Sequence, residues 1–176
     1  MDIMTNVMTA DLALLILRLV VGLVFIGHGL QKLAGWFGGQ GIEGTGRWYE
    51  SLGLRPGRFW ATVAGLFETL GGLGFVLGLF TEISALAIIA VMLMAILSVH
   101  APKGLWVANG GYEYNLVMIA VALALGLTGP GTWALSTAYD LPALTPWQFG
   151  IGLLAVLAGA IVIDILRRAR VPRTQA

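Results

Sequence analysis

The chain has 176 residues, of which 58% are hydrophobic and 11% are charged, and its mean hydropathy is +0.88. Soluble domains carry about 25% charged residues, so this composition is that of an integral membrane protein. The net charge of +1 gives no basis for nucleic-acid binding. The absence of cysteine excludes disulfides, thiolate nucleophiles and cysteine-ligated iron–sulfur or zinc centres. Any redox role therefore needs a cofactor held elsewhere.

Five apolar segments approach or reach the roughly 20 residues that a membrane-spanning helix needs. Between the first two, the segment GIEGTGRWYESLGLRPGR is too polar to span, and residues 45–52 within it are predicted to form a short surface helix. Small residues let helix backbones approach in lipid, so Gly22, Gly74 and Gly78 predict close packing of the first two spans. The predicted spans are residues 11–33, 59–80, 83–100, 113–128 and 147–166.

These segments predict an all-α, polytopic membrane protein in two parts. Residues 1–135 are expected to form a four-helix membrane bundle. Residues 136–176 are expected to form an outer loop, an added fifth helix and a basic tail.

The basic residues predict the orientation of the spans. With the N-terminus outside, nine of the ten Lys and Arg residues fall in the inner segments and none in the outer segments. Cytoplasmic loops are enriched in Lys and Arg, so the expectation is a multi-pass membrane protein of five helices with its N-terminus outside and its C-terminus inside. The inner basic residues are Lys32, Arg47, Arg55, Arg58, Lys103, Arg167, Arg168, Arg170 and Arg173.

Ionisable side chains within the spans are costly in lipid, so they indicate functional sites or structural pairs. At 1.5 Å per residue, Glu68 is expected to lie between Arg18 and His28 in depth. This depth predicts an ion pair between Arg18 and Glu68 on adjacent antiparallel helices. A pair that only fixes helix register is the alternative interpretation. Asp164 is expected to pair with the arginines one turn after it.

Two histidines, His28 and His100, are expected at nearly the same depth on different helices, close to the inner leaflet. A polar chamber is predicted there, with His28, Glu68 and His100 as candidate catalytic residues. Structural hydrogen bonding remains an alternative for each histidine, and haem ligation by the pair is the least favoured interpretation. Two histidines alone do not predict a metal site. The candidate ligand-binding residues are Gln31, Lys32, Trp36, Asn109, Glu113 and Tyr114. Lys32 is alternatively an interfacial anchor.

Several stretches between about Arg18 and Trp133 carry a family resemblance. They include RLVVGLVFIGHGLQKLAGWFGGQGIEGT, AGLFETLGGLGFVLGLFT and NGGYEYNLVMIAVALALGLTGPG. They resemble the DoxX family of bacterial membrane proteins, with HGxxK and NGGYEY the more specific elements. The resemblance implies a compact four-helix bundle to which the fifth helix is an addition. The residues that match the family's polar positions are Arg18, His28, Lys32, Glu68, His100, Asn109, Glu113 and Tyr114.

Three functions stay open. The family takes its name from a subunit of a thiosulfate:quinone oxidoreductase, so the resemblance implies a subunit that binds a quinone head group and assists proton transfer. Electrons would come from a partner, and whether the chain is itself an enzyme stays open. The second function is a non-catalytic accessory subunit, docked to other membrane subunits through helix 147–166 with its small residues Gly152, Ala155 and Gly159. The third function is a small transporter, but the sequence contains no inverted repeat that would support it.

Overall fold

The computed structural model describes residues 3–170, with side chains from residue 7 onward, and this part of the chain is built from helices without strands. Arg173, which contributes to the charge pattern, lies outside the described residues. A π-helical turn, Ile96–His100, and two 3-10 turns, Ala101–Lys103 and Val107–Asn109, follow the fourth helix. The α-helices are α1 (Ile3–Leu33), α2 (Gly41–Ser51), α3 (Gly57–Leu77), α4 (Thr81–Ala95), α5 (Glu113–Thr128), α6 (Leu135–Ala138) and α7 (Pro146–Arg168).

Within residues 3–170, four helical segments are long and apolar enough to cross a membrane, and α5 is a shorter apolar helix. At 16 residues, α5 is about 24 Å long, which is less than the usual bilayer core. The predicted all-α membrane fold is confirmed, while its orientation stays a prediction. The four long segments are Val7–Leu33, Gly57–Leu77, Thr81–Lys103 and Pro146–Arg168.

Glycines bring α1 and α3 into close contact. A methyl group on Gly22 would come within 2.6 Å of the Gly72 carbonyl oxygen, and one on Gly29 within 2.7 Å of the Gly65 carbonyl oxygen. The two positions on each helix are seven residues apart, so they lie on one face. The predicted close packing is confirmed, although these α3 glycines differ from the two that were predicted.

Helix α4 occupies the centre of the packing, because it contacts α3, α5 and α7. Ile88 and Ile89 of α4 are buried in one apolar core with Phe25 of α1, Leu125 of α5 and Phe149 of α7. The outward faces carry exposed apolar side chains, as lipid contact requires. Examples are Val20, Leu23, Leu70, Leu154 and Ile165.

Helix α2 packs against the start of α3, at what we call the α2 end of the bundle. Its predicted counterpart, residues 45–52, is confirmed as a helix that begins earlier, at Gly41, and ends at Ser51. Glu50 of α2 accepts a hydrogen bond from the Gly57 backbone N–H at 3.0 Å, which caps the start of α3. This contact holds α2 against the start of α3 and close to the end of α1.

Candidate functional site

A cavity of about 360 Å³ lies inside the bundle at the α2 end and is lined by both histidines. Its size is within the range of small-molecule sites. Its walls come from every helix except α6, and most of its lining residues are apolar. The lining residues with polar groups are His28, Lys32, Trp48, Tyr49, Trp60, Glu68, Ser98, His100, Tyr114 and Asn115.

An ion pair between Lys32 and Glu68 forms one wall of the cavity. Lys32 Nζ lies 2.7 Å from Glu68 Oε2 and 2.8 Å from Glu68 Oε1. The Glu68 side chain is 3% exposed and the Lys32 side chain 18%. Lys32 Nζ also donates to the His28 carbonyl oxygen at 3.4 Å. The pair neutralises two buried charges and fixes Glu68 close to the end of α1.

The predicted ion pair between Arg18 and Glu68 is wrong. Arg18 is buried and donates to two backbone carbonyl oxygens, those of Pro130 at 2.5 Å and Trp133 at 2.7 Å. It lies beside Gly78, since a methyl group on that glycine would come within 2.5 Å of Arg18 Nη1. Gly78 is ten residues from Glu68, about 15 Å along α3. Arg18 is therefore at the opposite end of the bundle from Glu68.

Hydrogen bonds within α1 and its following turn orient His28. His28 Nδ1 lies 3.1 Å from Gln31 Oε1, and Gln31 Nε2 donates to the Phe37 carbonyl oxygen at 3.2 Å. Because an amide oxygen can only accept, His28 Nδ1 carries a hydrogen, and in the neutral ring Nε2 is then an acceptor. Gln31 is not among the cavity-lining residues, so it positions the histidine instead of contacting a ligand.

His100 has the same arrangement on a different element. It ends the π-helical turn Ile96–His100, and its Nδ1 lies 2.7 Å from the Gly110 carbonyl oxygen. A carbonyl oxygen can only accept, so Nδ1 again carries a hydrogen, and in the neutral ring Nε2 is an acceptor. Gly110 has a φ of +75°, a backbone conformation that favours glycine. The NGG stretch therefore fixes the second histidine.

Two tyrosines bring hydroxyl groups to the cavity. Tyr114 was predicted and lines it, while Tyr49 of α2 was not among the predicted site residues. Burial raises the pKa of the Tyr49 hydroxyl above its ordinary value, and the neighbouring Glu68 charge adds to the rise. Tyr49 thus stays protonated at neutral pH and can donate a hydrogen bond.

Two further polar residues of the cavity were also outside the predicted set. Asn115 is buried and its Nδ2 lies 3.3 Å from Met92 Sδ, a weak acceptor. Ser98 Oγ is buried and has no hydrogen-bond partner in the described part of the chain. Buried polar atoms without partners are costly, so these groups suit a polar ligand. Their position in apolar helices was the available sequence signal.

Besides Gln31, three further predicted ligand-binding residues lie outside the cavity lining. Trp36 is 58% exposed and packs edge-on against Phe37. Glu113 accepts a hydrogen bond from the Val107 backbone N–H at 2.8 Å, and Asn109 is an exposed residue of the same loop. The structure therefore does not bring these three residues to a ligand; Glu113 instead fixes the loop that presents the Gly110 carbonyl to His100.

Helix α7 lines part of the cavity and is hydrogen-bonded to the segments beside it. Ile163 of α7 lines the cavity. Arg167 donates to the carbonyl oxygens of Leu52, at 3.3 Å, and Leu97, at 2.5 Å. The predicted pairing of Asp164 is confirmed, with 2.7 Å to each of the two following arginines. Since Leu97 belongs to the π-helical turn, α7 braces the segment that carries His100.

Comparison with known proteins identifies the family to which this chain belongs. A family model described as DoxX matches residues 13–101. The chain is 32% identical over 115 residues to "Putative oxidoreductase CatD" of Bacillus subtilis (strain 168), a match that covers 65% of this chain and 79% of the relative. It is 29% identical over 125 residues to "Inner membrane protein YqjF" of Escherichia coli (strain K12), covering 71% of this chain and 90% of the relative. No solved structure matches it. The chain therefore belongs to the DoxX family of membrane proteins.

Proposed function

We propose that this chain binds the head group of a quinone or quinol in the cavity near the inner leaflet and assists the transfer of its protons. One observation carries the proposal: two imidazoles from separate elements line one cavity with Nδ1 committed to a protein acceptor. Both rings therefore keep Nε2 as an acceptor. A quinol has two hydroxyl groups that donate hydrogen bonds.

The other lining groups suit the oxidised form of the same ring. Quinone carbonyl oxygens need donors, and the hydroxyl groups of Tyr49, Ser98 and Tyr114 can supply them. Apolar side chains surround these groups, as a ring of low polarity requires. A site that offers both acceptors and donors fits both redox states of one head group.

Proton transfer is assigned to the histidines. Oxidation of a quinol releases two protons and two electrons, and imidazoles exchange protons near neutral pH. His28 Nε2 and His100 Nε2 would take the two hydroxyl protons. Lys32 Nζ contacts both the Glu68 carboxylate and the His28 carbonyl oxygen, so the carboxylate lies near His28 and would stabilise an imidazolium there. A partner protein would accept these electrons, or would supply them when a quinone is reduced and the two imidazolium rings return the protons, because this chain has no cysteine to hold an iron–sulfur cluster.

The relatives support the redox and membrane assignments. The word oxidoreductase in the name of the Bacillus subtilis relative favours a redox role, and the name of the Escherichia coli relative favours the bacterial cytoplasmic membrane. The charge pattern of the sequence separately favours an N-outside, C-inside orientation in that membrane.

An accessory role in a larger membrane complex is the second candidate, and one feature of α7 favours it. Gly152 packs against Leu86 of this chain, but a methyl group on Gly159 would meet no neighbouring atom, and Ala155 is exposed. Small residues on an open helix face suit the approach of another membrane helix. Docking through helix 147–166 is compatible with quinone binding as well as with a purely structural role.

Ligand titration of the full chain in phosphatidylcholine nanodiscs tests the proposed function. Trp48 and Trp60 line the cavity, so a bound quinone should quench tryptophan fluorescence. We expect His28→Ala and His100→Ala each to weaken binding about tenfold, the loss of one hydrogen bond to a buried partner. Asn109→Ala is the matched control, because Asn109 is exposed outside the cavity, and its affinity should equal that of the parent.

Two results would overturn this function in favour of the accessory role. One is a parent protein that binds no quinone. The other is a pair of folded histidine variants that bind quinone as tightly as the parent.

A further inference from the structure

A second apolar depression, which we call the α3–α4 groove, lies on the outside of the bundle, on the side of the cavity away from α2. Its volume is about 550 Å³. It is lined by α3 as far as Leu77, by α4 as far as Ala87 and by Val156 of α7. Among its lining residues within residues 3–170, only Ser84 has a polar side chain, and that hydroxyl lies 3.4 Å from a neighbouring backbone carbonyl oxygen. The groove therefore suits a hydrocarbon chain.

The groove and the cavity lie next to each other along the same two helices. Phe67, which is 43% exposed, lines both. On α3 the cavity ends at Glu68 and the groove continues to Leu77, while on α4 the groove ends at Ala87 and the cavity begins at Ala90. From Phe67 to the end of α3 the groove is about 15 Å long.

We infer that the α3–α4 groove holds the hydrocarbon tail of the quinone whose head group occupies the cavity. This inference rests on the proposed function and defines its substrate class as a quinone with an alkyl or prenyl chain. The ring would lie among the histidines, Phe67 would contact the junction of ring and chain, and the chain would run along α3 away from α2. The head group would thus reach the cavity from the lipid, between α3 and α4.

A phospholipid acyl chain has the same hydrocarbon chemistry, but the position of the groove directly beside the cavity, with Phe67 lining both, favours a chain attached to the bound head group. In a bilayer the chain is already in an apolar medium, so the groove adds packing contacts and little transfer free energy. The expected gain in affinity is therefore modest. Its main consequence is to fix the direction in which the head group enters.

The test compares two ligands on the full chain in phosphatidylcholine nanodiscs: a decyl-substituted benzoquinone and the same ring without the chain. Ala87→Phe fills the groove, while Ala120→Phe places the same side chain on an exposed position of α5 outside both linings. Leu70→Trp narrows the groove from its exposed side and replaces Ala87→Phe if that variant folds poorly. We expect the groove variant to weaken decyl-quinone binding about fivefold and to leave the short ligand unchanged. Ala120→Phe should change neither.

The remaining outcomes overturn the inference in distinguishable ways. If the groove variant leaves decyl-quinone binding unchanged, or weakens both ligands equally, the tail does not lie in the groove. Head-group binding, measured through His28→Ala, still stands in that case. If the parent binds neither ligand, the proposed function fails and this inference fails with it.

Discussion

Arg18 lies near one end of the helical bundle and Lys32 near the other, and both cations are withdrawn from water. Arg18 binds two carbonyl oxygens of the loop that follows α5. The same loop is tied to α1 a second time, because the Thr132 backbone N–H donates to Asp11 Oδ1 at 3.0 Å. Lys32 instead binds the carboxylate of Glu68, on the wall of a cavity.

The difference between the two ends concerns what remains available to a ligand. At the Arg18 end, two guanidinium nitrogens are used to close a loop over the bundle. At the α2 end, the ion pair leaves a volume of about 360 Å³ with an unpartnered serine hydroxyl on its wall. A buried charge in a membrane helix is therefore a signal of function only when its surroundings keep space beside it.

The ion pair at the α2 end should give the largest effect on stability. Glu68→Leu leaves Lys32 without its carboxylate, and loss of one partner of a buried pair typically costs about 3 kcal/mol in the free energy of unfolding. Lys32→Met together with Glu68→Leu should recover much of that loss, because no unpaired charge remains. Unfolding in mixed detergent micelles measures both. Equal and additive losses would show that the pair does not form.

Removal of Arg18 should lower the free energy of unfolding by a smaller amount, and a second substitution at Glu68 should not recover it. Arg18→Leu leaves the carbonyl oxygens of Pro130 and Trp133 without their donor, at a cost of about 2 kcal/mol. Combined with Glu68→Leu, the losses should add to within about 0.5 kcal/mol, because the sites lie far apart. Arg18→Lys serves as a control that retains the charge but cannot reach both carbonyls in the same geometry. If the Arg18–Glu68 double variant were more stable than the sum of the single losses allows, the ion pair predicted from depth would be supported.

Single-cysteine labelling should leave stability unchanged while assigning each end of the bundle to one side of the membrane. The chain has no native cysteine, and Ala138 and Ala169 are both exposed in the structure. Ala138→Cys should react with an impermeant reagent from the periplasmic side, and Ala169→Cys should not. The reverse pattern would place the α2 end outside and contradict the orientation predicted from the basic residues.

The apolar segments were predictable because a membrane-spanning helix needs a long run of apolar residues, whereas the connecting loops can be polar. The depth of Glu68 relative to Arg18 was not predictable in the same way. The first span was expected to begin at residue 11, but α1 begins at Ile3, and helix ends set every depth estimate. The register follows instead from the contact of Gly22 with Gly72, which the sequence alone does not distinguish from other glycine pairings.

The histidines could be identified from sequence because two polar rings on separate apolar helices need a common polar environment. Trp36, Asn109 and Glu113 were expected at the depth of the histidines, but all three lie outside the cavity. Trp36 packs against Phe37 of its own turn, Glu113 accepts a hydrogen bond from a loop N–H, and Asn109 is exposed. Tyr49 escaped prediction for the opposite reason. The interpretation of residues 45–52 as a helix on the membrane surface assigned none of its side chains to a cavity between other helices.

The contacts of Arg167 determine when, during synthesis of the chain, the candidate site is completed. The chain emerges from the ribosome from its N-terminus, so α1 to α5 can enter the membrane before α7 exists. The contacts from Arg167 to Leu52 and Leu97 join the last helix to segments synthesised about 115 and 70 residues earlier. During synthesis, the four-helix part would therefore hold both histidines while the wall at Ile163 and the brace on the π-helical turn are still missing. The cavity would gain this wall and this support only when the final helix docks.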